Sequence, residues 1–386
     1  MELVGERHVT VEDDRIVEVS DQRPTRPADL EIDARGRFLL PGLIDAHVHH
    51  VVTTMDFVRG ARLSDVERAL GMATLAEATV RRGFTTIRDP GGATTGLIRA
   101  IDSGLCSGPR IVRAGRAISQ TGGHDTGAPL DDAACASAVR TGEFGAVADG
   151  PDAVRTVVRR ELREGSQFIK IMTSGGGASP TDPFDSVQYT ADEVRAATIE
   201  TDHRHTYTTS HAYQPEAILL AIENGVRCIE HGNLVDAPTA RRMADLGVTM
   251  VPTLVTDQAM AEIGEQFGLP PRNLAKNAGV LEQGQASIEI AAGSGVELGF
   301  GTDLLGEAQP WQNREFALRA ELQSSVDVLR SVYQTNAKLC GLEGRIGVLT
   351  PGADADLVLS TADPLNDLAA LSCRGEAIPH AAHRYS

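Results

Sequence analysis

Cysteine is sparse, and its placement rules out two structural classes. The five thiols, Cys106, Cys135, Cys228, Cys340 and Cys373, are odd in number and never spaced as Cys-x-x-Cys, which argues against a disulfide framework or a thiolate zinc site. They read as small apolar residues of a reducing compartment. Long apolar runs are missing too: nowhere do about eighteen such residues stand together, so no spanning helix is expected. Met1 to Val9 carries Glu2 and Glu6 and has neither a basic n-region nor an apolar h-region; no secretory signal is expected, and a cytoplasmic location is. Basic charge is in deficit, with 36 Lys and Arg against 53 Asp and Glu and a formal charge of −17. Such a surface repels phosphate backbones and anionic lipids, and no local basic patch offsets it, so neither nucleic acid nor a membrane is expected as partner. Internal repeats and low-complexity tracts are likewise absent from the sequence.

What is present is an alternation. Short β-rich runs bounded by turn residues recur with helical stretches between them, as in parallel βαβ units. Eight candidate strands can be counted: Gly42 to His47, Phe84 to Asp89, Arg110 to Ala114, Gln167 to Met172, Tyr207 to His211, Arg227 to Glu230, Val248 to Leu254 and Glu297 to Gly301. Several are continuously apolar, which suits strands covered on both faces. Ser64 can cap a helix whose apolar positions Val66, Leu70, Ala73, Ala76 and Val80 recur at helical spacing and which ends near Gly83. Pro151 and Asp152 open a second that stops at Gly165, and Thr190 opens a third with Glu193 completing a capping box.

The expected fold class is therefore α/β, a (β/α)8 TIM barrel over residues 41–336. A barrel of about 250 residues leaves room for a modest accessory domain. Short strands at His8 to Thr10, Arg15 to Val19 and Leu357 to Leu359 assign residues 1–40 and 337–386 to a small β-sandwich domain built from both chain termini. Two long Gly-, Pro- and Asp-rich connections, Ser119 to Gly150 and Ser174 to Gln188, interrupt the pattern, and loops of that length in compact domains are usually functional.

The chemistry lies where metal-capable residues fall. Catalytic groups of such barrels sit at the C-terminal ends of the strands. His47 and His49 close the first strand as His-x-His, and the period of two in an extended chain turns both imidazoles toward the barrel axis. The pair alone is more often explained by buried hydrogen bonding. Lys170 on strand four, His211 ending strand five, His231 after strand six and Asp303 after strand eight occupy the same end of their strands, and that joint placement points to a metal site. An ammonium in an apolar strand is costly unless it finds a partner or changes chemistry. Carbamylation of Lys170 by carbon dioxide would give an anionic, bidentate group able to bridge two cations about 3.5 to 4 Å apart; pairing with a neighbouring carboxylate is the alternative.

The motifs Pro41-Gly42-Leu43-Ile44-Asp45-Ala46-His47-Val48-His49, Gly83 to Asp89, Thr121-Gly122-Gly123-His124 and Gly301-Thr302-Asp303 resemble the amidohydrolase superfamily. Ile169 to Gly176, Ser179-Pro180-Thr181-Asp182-Pro183, His211-Ala212-Tyr213 and Ile229-Glu230-His231-Gly232 are similar to its imidazolonepropionase-like branch of prolidases and arginine or lysine carboxypeptidases. The likeness covers roughly residues 38 to 366. It implies two Zn2+ ions, one held by His47, His49 and Asp303, the other by His211 and His231, with carboxylated Lys170 between them. It also implies attack on an amide carbonyl by a metal-bridging hydroxide, with Asp303 as general base and then general acid. His124 and Tyr213 match positions that hold a substrate carboxylate. Relatives assemble, so a homo-oligomer is implied as well. His50 is expected to point away from the pair, His203 and His205 to be structural or exposed, and His8, His380 and His383 to belong to the terminal β domain.

The expected activity is binuclear zinc hydrolysis of the amide bond of an N-acyl amino acid or dipeptide, a small-molecule substrate bearing a carboxylate. The same chemistry on a carbamate, urea or anilide of a secondary or xenobiotic compound is not separable, since variable loops build the pocket. Mononuclear deaminases and cyclic-imide hydrolases of the superfamily generally lack the strand-four lysine and carry a Glu three residues after the strand-five histidine, where Gln214 stands here. A non-catalytic scaffold is the third alternative, opposed by the intact ligand set. Gly175 to Gly177 lacks the Lys-Ser or Lys-Thr of a phosphate loop, and Ser119 and Ser210 lack a nucleophile elbow. Three departures from the branch bear on substrate choice: an abbreviated N-terminus, Asp257 where an aromatic residue is common, and Cys373 to Ser386 without the usual closing strand.

Overall fold

A computed structural model describes residues 3–124, 143–177, 179, 182–269, 271–277, 280–372 and 376–377. Its centre is a ring of parallel strands of the (β/α)8 TIM-barrel class. Leu43–Asp45, Phe84–Asp89 and Arg110–Arg113 form one sheet. Ile169–Met172, Thr208–Ala212, Cys228–His231 and Thr249–Val251 form the other, extended by Ala117–Ser119 and Gly145–Val147. Among the described residues no continuous ladder closes the ring. At one seam Gln167 N donates to Arg113 O at 2.9 Å, and at the other Ala46 N donates to Phe300 O at 2.8 Å.

The third and eighth strands depart in form from the expected ones. The third runs only to Arg113, turns at Gly115 (φ 77°), and resumes at Ala117–Ser119 beside Ile169–Met172, with Ile118 opposite Ile171. The eighth, expected over Glu297 to Gly301, shrinks to a single bridge between Leu298 and Met250. A side chain does the pairing there instead. Asn336 Nδ2 donates to Ile44 O at 2.7 Å and Phe300 O at 2.8 Å, and its Oδ1 accepts from Phe300 N at 3.1 Å.

The helices start where their caps predict. Ser64 with Glu67 and Thr190 with Glu193 form capping boxes, and Pro151 opens the helix that ends at Arg163. The buried face of Asp65–Arg81 is only partly the expected one. Ala76 is buried as expected, with Met72 and Thr79 beside it, whereas Val66 and Leu70 are 68% and 65% exposed.

At the chain ends His8–Glu12 pairs antiparallel with Arg15–Ser20, and Phe38–Pro41 with Leu357–Ser360. The segment after Cys373, expected to lack a closing strand, contributes Glu376–Ala377 opposite Val358 and Leu359. Arg110 ties this region to the barrel, with Nη1 2.7 Å from Asp356 and Nη2 2.9 Å from Asp354. Cys135, Cys373, His380 and His383 lie outside the described residues, and Cys106, Cys228 and Cys340 are free thiols. No helix of the described residues is long and apolar enough to cross a membrane.

Candidate metal centre

At the end of the first strand, Asp45 sets the turn that launches His47 and His49. Its buried carboxyl accepts from His47 N (3.0 Å), Thr302 Oγ1 (2.6 Å) and Gln312 Nε2 (2.8 Å), which joins the ends of strands one and eight. His47 Nε2 and His49 Nε2 then stand 3.1 Å apart, at 3.4 and 3.2 Å from Asp303 Oδ1. The ligand atoms of these three residues all lie within 4.8 Å of one another, compact enough to share one cation.

Ring tautomers settle which atoms face inward. A carbonyl oxygen only accepts, so His49 Nδ1 donates to Gly91 O (3.0 Å) and leaves its Nε2 lone pair for the cluster. By the same logic His211 Nε2 donates to Gly175 O at 3.0 Å, which frees Nδ1. His47 Nδ1 is bound to Glu230 Oε2 at 2.7 Å, and His231 Nδ1 to Thr253 Oγ1 at 2.8 Å. Each of the four imidazoles thus has one nitrogen tied to a second residue. The ring of His231 lies 4.8 Å from that of His47 and 4.6 Å from that of His211, centroid to centroid.

Electrostatics keep His47, His211 and His231 in ligand form. Burial pushes His47 down to about 4, against the pull of Asp303 and Glu230, and pushes His211 and His231 well below the ordinary imidazole value. Burial opposes ionisation of Asp303, yet His47 and His49 outweigh it and hold the carboxyl at about 2. Neutral imidazoles around a carboxylate are what a divalent cation requires. Lys170, 1% exposed, lines the same pocket, and burial lowers its pKa in spite of the attraction of Glu230 and Asp303. His231 and Asp303 both have left-handed backbone, with φ of 71° and 50°.

His124 and Tyr213 complete the polar side of the pocket. The His124 ring stacks on His211 at 4.2 Å, and Tyr213 stands edge-on to His211 at 4.8 Å. His124 Nδ1 lies 2.7 Å from Ser179 Oγ and 3.3 Å from Asp182 Oδ2. Serine and aspartate meet the same nitrogen, so the trio cannot relay a proton across the ring as a serine-hydrolase triad does. His50 turns outward to Thr79 Oγ1 (3.1 Å), and His203 and His205 are exposed, as expected.

Two residues of this centre went unassigned in the sequence reading. Glu230 joins His47 to Arg88, whose Nη1 is 2.8 Å from Glu230 Oε1 and whose guanidinium lies 4.2 Å over the Phe168 ring. Both are fully buried charges inside fully buried strands, as Lys170 is. Ser179 and Asp182 were seen as part of a motif, without the contact to His124.

Comparison with known proteins agrees with this geometry. The amidohydrolase family model matches residues 38–378. Ochratoxinase of Aspergillus niger is 26% identical over 344 residues, 86% of this chain and 71% of that one. Imidazolonepropionase of Streptomyces coelicolor is 26% identical over 283 residues, 64% of this chain and 69% of that one. Among solved structures, a prolidase complexed with N-methylphosphonate-L-proline superposes with a TM-score of 0.90 at 43% identity, covering 96% of this chain and 91% of that one. A Xaa-Pro dipeptidase with bound methionine gives 0.82 at 28% identity, covering 94% and 91%. The chain belongs to the amidohydrolase family, in its imidazolonepropionase-like branch, and is a hydrolytic enzyme acting on C–N bonds.

Proposed function

We propose that this protein is a binuclear zinc hydrolase that cleaves the amide bond of an N-acyl amino acid or dipeptide. The observation that carries the reading is the arrangement of ring nitrogens: the outward nitrogens of His47, His49, His211 and His231 are all engaged, and the opposite ones are left for ligation beside Asp303. The prolidase and dipeptidase likeness supports an amide bearing a carboxylate. His47, His49 and Asp303 would hold one Zn2+, and His211 and His231 the other, with carboxylated Lys170 between them.

Lys170 is suited to that modification. Burial favours its neutral amine, the form whose lone pair adds to carbon dioxide; an N–C bond forms and one proton leaves for solvent. Bound zinc would lower the pKa of water toward neutrality and polarise a carbonyl. Asp303 would take the proton of the attacking water and return it to the departing amine as the C–N bond breaks. His124 and Tyr213 would receive the carboxylate of the leaving amino acid.

A hydrolysis screen of dipeptides and N-acyl amino acids after zinc reconstitution tests the reading. Asp303→Asn is expected to lower turnover by roughly 10²–10⁴-fold with the fold retained by circular dichroism. No cleavage of any substrate by enzyme carrying two zinc equivalents, or undiminished turnover in Asp303→Asn, would refute it.

A further inference from the structure

The mouth of the barrel is chemically divided. Apart from the proposed metal ligands, its polar lining residues are His124 and Tyr213, after strands three and five, where Phe144 and Met172 also line it. The opposite sector, after strands seven, eight and one, presents Met260, Leu305, Val52 and Phe57. These four pack into one apolar cluster with Met55, Val255 and Leu269, so a preformed core backs the wall. Among the described residues lining the pocket there is no arginine or glutamate, and the one carboxylate, Asp303, is committed to His47 and His49.

An acid does stand nearby in sequence. Asp257, three residues before Met260 on helix Leu254–Ile263, falls on the same helix side. Yet it is 1% exposed, accepts from Asn233 Nδ2 at 2.9 Å and does not line the pocket. A charged substituent docked on this wall would be desolvated without a partner, whereas an apolar one gains with each buried methylene.

We infer that this wall reads the side chain of the acyl half of the substrate and selects an uncharged, bulky apolar one, aromatic or branched. The carboxylate of the leaving amine then lies across the ring toward His124 and Tyr213. This rests on the amide hydrolysis proposed above. The orientation follows from ring order, because strands seven, eight and one face strands three to five across the barrel axis.

The test is a series of amides of one amino acid, acylated with acetyl, butanoyl, 3-methylbutanoyl, 3-phenylpropanoyl, succinyl and 4-aminobutanoyl groups and assayed with the zinc-loaded enzyme. Expected is a rise in kcat/KM of roughly threefold to tenfold per methylene along the neutral members, with succinyl and 4-aminobutanoyl substrates below the butanoyl one. In Phe57→Ala the ratio of 3-phenylpropanoyl to acetyl kcat/KM should fall about tenfold, chiefly through KM; Met260→Ala provides the same readout if the first variant does not fold. A flat series, equal cleavage of charged acyl groups, or an unchanged ratio in both variants overturns this inference while amide hydrolysis stands. Cleavage of no member overturns both.

Discussion

Replacing Glu230 by Gln should weaken zinc binding and destabilise the fold, through two contacts that can be separated. Glu230 Oε2 accepts from His47 Nδ1 at 2.7 Å and Oε1 from Arg88 Nη1 at 2.8 Å, with Thr209 Oγ1 as a further donor. Burial works against its charge, but Arg88 and His47 hold the carboxyl well below the ordinary value. The amide keeps the shape and loses the charge. Arg88 is then a buried cation without an anion, a break that costs about 3–5 kcal/mol. His47 loses the anionic acceptor that orients it, and loss of such a supporting contact lowers metal affinity about 10- to 100-fold. Urea unfolding of metal-free protein measures the first effect, and zinc competition with a chromophoric chelator the second. In Arg88→Met/Glu230→Gln the stability should largely return while the affinity loss remains. A Glu230→Gln protein that binds zinc as tightly as wild type, or a double variant that regains affinity along with stability, would refute the reasoning.

Burial pushes the Glu315 carboxyl from 4.5 up to about 7 on folding. The folded state therefore binds the extra proton in that window, and stability present below pH 4.5 falls by about 3 kcal/mol as pH rises through 7; urea midpoints of Glu315→Gln should lack this slope between pH 5 and pH 8. A Cβ on Gly175 would stand 1.9 Å from the Pro183 carbonyl oxygen. Because Gly175 O holds His211 Nε2, Gly175→Ala should cost about 1–3 kcal/mol and lower zinc content, read by thermal melting and elemental analysis. Lys170→Met should bind closer to one zinc per chain than two, with no recovery on adding bicarbonate. Chelation of wild-type enzyme should lower its stability by about 3 kcal/mol if zinc had been present at a hundred times its Kd.

The parts of this site legible in sequence were those with a period or an incongruity. His47 and His49 follow from alternation in an extended chain, and Lys170 from a charge inside Phe-Ile-Lys-Ile-Met. Phe84–Asp89 was located to the residue because Gly83 precedes it with φ 96° and its six residues are all buried. The seventh strand was drawn too long. Pro252 and Thr253 leave the ladder, and Thr253 turns to His231, a contact with no local signature. Glu230 and Arg88 sit in strands of mixed polarity, and their pairing spans 142 residues and depends on the fold bringing strands two and six together. The apolar wall was illegible because Val52, Phe57, Met260 and Leu305 come from three separate excursions.

The left-handed backbone at His231 and Asp303 has a bearing on protein engineering. Such a conformation in a residue other than glycine costs about 1–3 kcal/mol, and Asn or Gly adopts it more easily. A library screened for heat resistance alone would therefore be rewarded for replacing these two side chains, and its winners would be robust but inert. Selection for durable catalysts from this scaffold has to score turnover in the same round as survival.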